Sequence, residues 1–137
     1  MKLIGILAVL AVIAFSNVSF AYDYEEIAPG YNACMDATQG VTSQMLKCQE
    51  KAYSFVDTVL NVNYQMAMKA CNKEGDPKAC KATIQKMQRA WIKYKEATAD
   101  YLFKALDAGS LTPVLVNDFV NQATKDQGKK LELMLNR

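Results

Sequence analysis

Between residues 45 and 70, apolar side chains recur every three to four positions, at Met45, Cys48, Ala52, Phe55 or Val56, Val59 or Leu60, Val62 or Asn63, Met66 and Ala70. Kept up for about eight turns, this spacing lines up on one face only if the segment is an α-helix. No glycine or proline interrupts the run, and Glu74-Gly75-Asp76-Pro77 then supplies a turn. Asp76 suits an N-cap and Pro77 a first helical position, so a second long helix follows. Ala79, Ile84, Met87, Trp91, Tyr94 and Thr98 mark one of its sides, Leu102, Phe103 and Leu106 continue it, and Gly109 closes it. Thr112-Pro113 repeats the cap-then-proline signal for a third. Its buried side reads Val116, Phe119, Val120, Ala123, Leu131 and Met134 or Leu135. Gly128 inside it costs about 1 kcal/mol relative to alanine. Upstream, residues 32–39 form a short helix ended by Gly40, and Thr42 or Ser43 caps the first long helix. Short connections make consecutive helices antiparallel neighbours. The expected fold is therefore all-α: a small helical bundle, stapled by disulfides, on a long antiparallel helical hairpin.

The chain opens with an address. Lys2, the apolar stretch 3–15 and the small residues Ser19 and Ala21 have the order of a secretory signal peptide over residues 1–21, with cleavage after Ala21. The apolar core is short for a bilayer of about 30 Å, and no other stretch is apolar enough to span one. Residues 22–137 are then a single helical domain, periplasmic or secreted, beginning with a loose arm that carries Asp23, Glu25 and Glu26.

Composition excludes several functions. Lys and Arg number 16 against 14 Asp and Glu, too small a basic excess for a strongly electrostatic nucleic-acid binder. Histidine is absent, which removes the commonest general base and metal ligand and forbids Ser-His-Asp and Cys-His arrangements. Phosphate-cradling glycine patterns are also absent. The expectation is no catalysis, no cofactor and no metal. A run of cations, Lys73, Lys78, Lys81, Lys86, Arg89, Lys93 and Lys95, makes the turn and second helix locally basic and reads as a solvated face.

Four cysteines in an exported chain point to two disulfides. Along one helix, Cys48 and Cys71 would stand about 35 Å apart at 1.5 Å per residue. A disulfide requires Cα atoms within about 7 Å. Cys80 lies just past the turn, near Cys71 and remote from Cys48. That leaves Cys34 with Cys48 and Cys71 with Cys80.

Asp57, Leu60, Asn61 and Tyr64 share one face of the first long helix, and Gln88, Trp91 and Lys95 one face of the second. Folding the hairpin at Gly75-Asp76 sets Tyr64 opposite Met87 and Gln88, Asn61 opposite Ala90 and Trp91, and Asp57 opposite Tyr94 and Lys95. The expected contacts are Asp57 with Lys95, Asn61 with backbone or the Trp91 indole, and Tyr64 with Gln88, a structural zipper. These two runs, Asp57-x-x-Leu60-Asn61-x-x-Tyr64 and Gln88-Arg89-Ala90-Trp91-Ile92-x-Tyr94-Lys95-Glu96-Ala97, resemble the signature of the LprI-like lysozyme-inhibitor family. Cys34 and Cys48 match its early cysteine pair. The chain departs from the pattern at Lys95, Glu96 and Ala99, where the family has arginine, aspartate and cysteine, and near Phe119, where a later cysteine is missing. The resemblance implies a non-catalytic protein that binds a lysozyme-type muramidase and blocks it. The alternative is an envelope interaction or structural module with no muramidase partner.

Overall fold

The computed structural model describes residues 26–135; the signal-peptide segment and the acidic residues Asp23 and Glu25 lie outside them. Helices α1 (Tyr31–Ala37), α2 (Thr42–Ala70), α3 (Pro77–Ala105) and α4 (Thr112–Leu135) account for most of these residues, with no strand among them. The chain runs up α2, down α3 and up α4, so α2 and α3 form an antiparallel hairpin and α2 and α4 are parallel. The closest packing is between the two parallel helices.

Local signals placed most boundaries. Asp76 accepts a hydrogen bond from the Ala79 amide (3.0 Å), and Pro77 follows as the first residue of α3. Two boundaries and the N-terminal arm differ from expectation. The N-cap of α2 is Val41, with no side-chain cap, and Thr42 is already helical. The turn through Gln39 (φ 49°) and Gly40 (φ 83°) delivers Val41 in an extended conformation, and its carbonyl accepts from Gln44 and Met45. Helix α3 stops at Ala105 rather than Gly109. There the Thr112 hydroxyl donates to the Leu106 carbonyl (3.1 Å) and accepts from the Ala108 amide (3.2 Å), pulling the chain out of the helix. The described part of the arm, residues 26–30, is pinned rather than loose. Glu26 accepts from the Gly30 and Asn32 amides at the start of α1, its own carbonyl accepts from Lys125, and Ala28 is buried.

Both expected disulfides are formed. Cys34–Cys48 ties α1 to the start of α2, and Cys71–Cys80 closes the hairpin turn, with Cα separations of 5.8 and 5.6 Å. One apolar cluster, Ala28, Tyr31, Cys48 and Ala52, lies beside the first bond. The other gathers Leu60, Ala67 and Leu131, with Tyr64, Ile84, Met87 and Trp91 packed on it.

The buried stripe of α2 is Cys48, Gln49, Ala52, Val56, Leu60, Asn63 and Ala67. At each ambiguous position the structure selects the residue that faces α4: Val56, Leu60 and Asn63 are buried, while Phe55 and Val62 are exposed; Met66, expected on the buried side, is exposed, and Ala67 is buried in its place. The seam is amide-rich as well as apolar. Gln49 Nε2 donates to the Val114 carbonyl and to Asp118 (both 2.8 Å), Asn121 Nδ2 to the Gln49 carbonyl (3.1 Å), and Asn63 Nδ2 to the Gly128 carbonyl (3.0 Å). Helix carbonyls keep a second lone pair, so these bonds lock the register without breaking either helix. They hold α4, which neither disulfide reaches.

At Gly128, α4 lies directly against the α2 backbone. A Cβ built there would sit 3.5 Å from the Leu60 Cα, an ordinary contact. Gly128→Ala is therefore expected to be neutral or to stabilise by up to about 1 kcal/mol through helix propensity. Gly128→Leu would push against α2 backbone and cost about 1–3 kcal/mol. Urea unfolding of the pair checks both signs.

Tyr31 joins α1 to α4 by donating to Asp118 Oδ1 (2.7 Å). Burial, reinforced by that hydrogen bond and by the Asp118 charge, pushes its phenol up from 10.0 to about 12. A raised phenol holds its proton longer in the folded chain. Its contribution is thus complete below pH 10 and lost as pH rises through about 12. Tyr31→Phe is expected to cost about 1 kcal/mol at pH 8, and the gap to the parent chain should narrow above pH 10 in denaturant titrations.

Candidate functional site

The seven residues of the two sequence motifs, Asp57, Leu60, Asn61, Tyr64, Gln88, Trp91 and Lys95, all line one cleft of about 460 Å³ between α2 and α3. Two causes open it. Helix α2 turns its small-residue stripe to α4, and α3 leans the same way, with Gln127 Nε2 donating to Gln88 Oε1 (2.9 Å). Only Gln88 of α3 is fully buried, although Ile84, Met87 and Trp91 rest on the Leu60–Leu131 cluster.

The expected zipper contacts are therefore replaced. Asp57 accepts from Asn61 Nδ2 one turn along α2 (3.2 Å), and no ion pair joins it to Lys95 among the described residues. Lys95 lies over aromatic rings instead, 4.7 Å from the Trp91 centroid and 6.0 Å from that of Tyr53. Gln88 is engaged by α4 rather than by Tyr64. The two motifs face one cleft, but the expected side-chain pairs across it are not formed among the described residues.

Tyr53 and Gln85 also line the cleft and escaped the motif reading. Their spacing could have found them: Tyr53 lies one turn before Asp57, and Gln85 one turn before Gln88. Burial, then the nearby Asp57 charge, raises the Tyr53 phenol above its ordinary value. The walls thus offer aromatic faces, a carboxylate, planar amides and, on the α3 side, the cations Arg89 and Lys95. A smaller hollow of about 310 Å³ beside the first disulfide is lined by Pro29, Tyr31, Lys51 and Phe55 among others. No described helix is long and apolar enough to cross a membrane.

Comparison with known proteins agrees with the family resemblance. The family described as lysozyme inhibitor LprI matches this chain over residues 34–131, which takes in α2, α3 and most of α4. An uncharacterized protein of Rhizobium meliloti (strain 1021), R02472, is 30% identical over 96 residues, covering 64% of this chain and 69% of that one. No solved structure matches. With the family's match spanning every helix of the hairpin and the cleft between them, the chain belongs to the lysozyme inhibitor LprI family.

Proposed function

We propose that this protein is exported behind a signal peptide cleaved after Ala21 and acts in the periplasm or outside the cell. There it binds a lysozyme-type muramidase and blocks its substrate cleft, without catalysis of its own. The observation that carries this reading is membership of the inhibitor family over residues 34–131. A disulfide-clamped hairpin with both bonds made is consistent with work in an oxidising compartment. A rigid body of this kind loses little conformational freedom on docking, which favours tight binding.

The test is cell-wall lysis by several muramidase classes, with the purified oxidised chain titrated in. Saturable inhibition of at least one class, accompanied by co-elution of the two proteins, is the expected result. Undiminished lysis by every class at tens of micromolar would overturn the reading and favour the envelope-module alternative.

A further inference from the structure

The α2–α3 cleft has the size and lining of a small-ligand site. Its volume of about 460 Å³ falls within the range of small-molecule pockets, about 300–1,000 Å³. It is concave, so it cannot itself enter another protein's cleft.

The lining narrows the ligand class. Trp91 and Tyr53 offer aromatic faces, and their rings already hold the Lys95 ammonium between the two walls. Asp57 and Asn61, bonded to each other on α2, form a rigid polar pair beside them. On the opposite wall, neither Arg89 nor Lys95 is in an ion pair among the described residues. A sugar has C–H faces that lie on aromatic rings and hydroxyls that both donate and accept, which suits the first two features. The cations on the α3 wall, across the cleft from Asp57, add a place for one negative group.

We propose that the α2–α3 cleft binds a short oligosaccharide bearing a carboxylate. Trp91 and Tyr53 stack on the rings, Asp57 and Asn61 engage hydroxyls, and Lys95 with Arg89 takes the carboxylate. This goes beyond the inhibitor reading, because no muramidase is needed for it.

The chain has one tryptophan, Trp91, so its emission reports directly on the cleft. The purified oxidised chain is titrated with the disaccharide of N-acetylglucosamine and N-acetylmuramic acid, and separately with neutral chitobiose. Amide chemical shifts are recorded in parallel. The acidic sugar should give a saturable change, with shifts confined to the facing stretches of α2 and α3. Chitobiose should bind about tenfold more weakly. Lys95→Gln, a change in the cleft wall that leaves the α2–α4 seam untouched, should erase that preference while the circular dichroism stays helical. Absence of saturable change in both readouts would overturn the proposal. Equal affinity for the two sugars, or shifts located elsewhere, would do the same. Because no enzyme is present, failure here leaves the lysis result standing, and the converse also holds.

Discussion

Leu131→Ala is expected to lower the unfolding free energy by about 2–5 kcal/mol, the range for truncating a large apolar side chain in a close-packed core. Leu131 is 0% exposed and sits in the cluster with Leu60 and Ala67, on which Tyr64, Ile84, Met87 and Trp91 rest. The cavity left by truncation would face three helices at once, and long helices supporting one another cannot collapse locally to fill it. Because α3 has only Gln88 fully buried, it depends heavily on this cluster. The cost should therefore appear first as faster hydrogen exchange along α3. Leu133→Ala, two residues on and 62% exposed, should change stability by less than about 0.5 kcal/mol. Urea unfolding of the two variants side by side measures the contrast. Equal effects would show that the cluster is not the core of the bundle.

Removal of the Cys34–Cys48 bond, as the double serine variant, should cost about 3 kcal/mol and lower Tm by on the order of 10 °C. The bond closes a sequence separation of 14, against 9 for Cys71–Cys80. Loop-closure entropy grows only with the logarithm of length, so the unfolded-state contributions of the two bonds are similar. Their folded-state consequences are not. Helix α1 has seven residues, too few to hold together in water alone. Without the bond its ties are the packing of Tyr31 and Met35 on the cluster with Ala52, the Tyr31–Asp118 hydrogen bond, and the Glu26 cap that Lys125 anchors. Loss of the first bond should release α1 while α2 to α4 stay helical. Loss of Cys71–Cys80 should leave α1 protected and loosen the hairpin turn. Amide exchange of the two double variants separates these outcomes.

Both bonds follow from one-dimensional arithmetic, because a helix is a rigid ruler and Cys48 cannot reach Cys71 along it. The turn before α3 is equally local, since Asp76 and Pro77 cap it by chemistry contained in four residues. The cleft was legible in part. The motif residues were placed on the correct faces, but the expected pairing of Asp57 with Lys95 assumed that sequence neighbours pack most closely.

That assumption is where local information ends. Periodicity tells which face of a helix is apolar, and within a stripe it cannot separate Phe55 from Val56 or Val62 from Asn63, each a single position apart. The choice went to the residues that let α2 approach α4: alanines, Gly128, and amides able to bond a helix carbonyl. Close approach of two backbones and satisfaction of buried amides depend on a partner from the far end of the chain. The sequence alone therefore determined helices, turns, sulfur bridges and kinship. The tertiary structure decided that α2 prefers α4 to its own hairpin partner, and that preference is the physical reason a cleft stands open between α2 and α3.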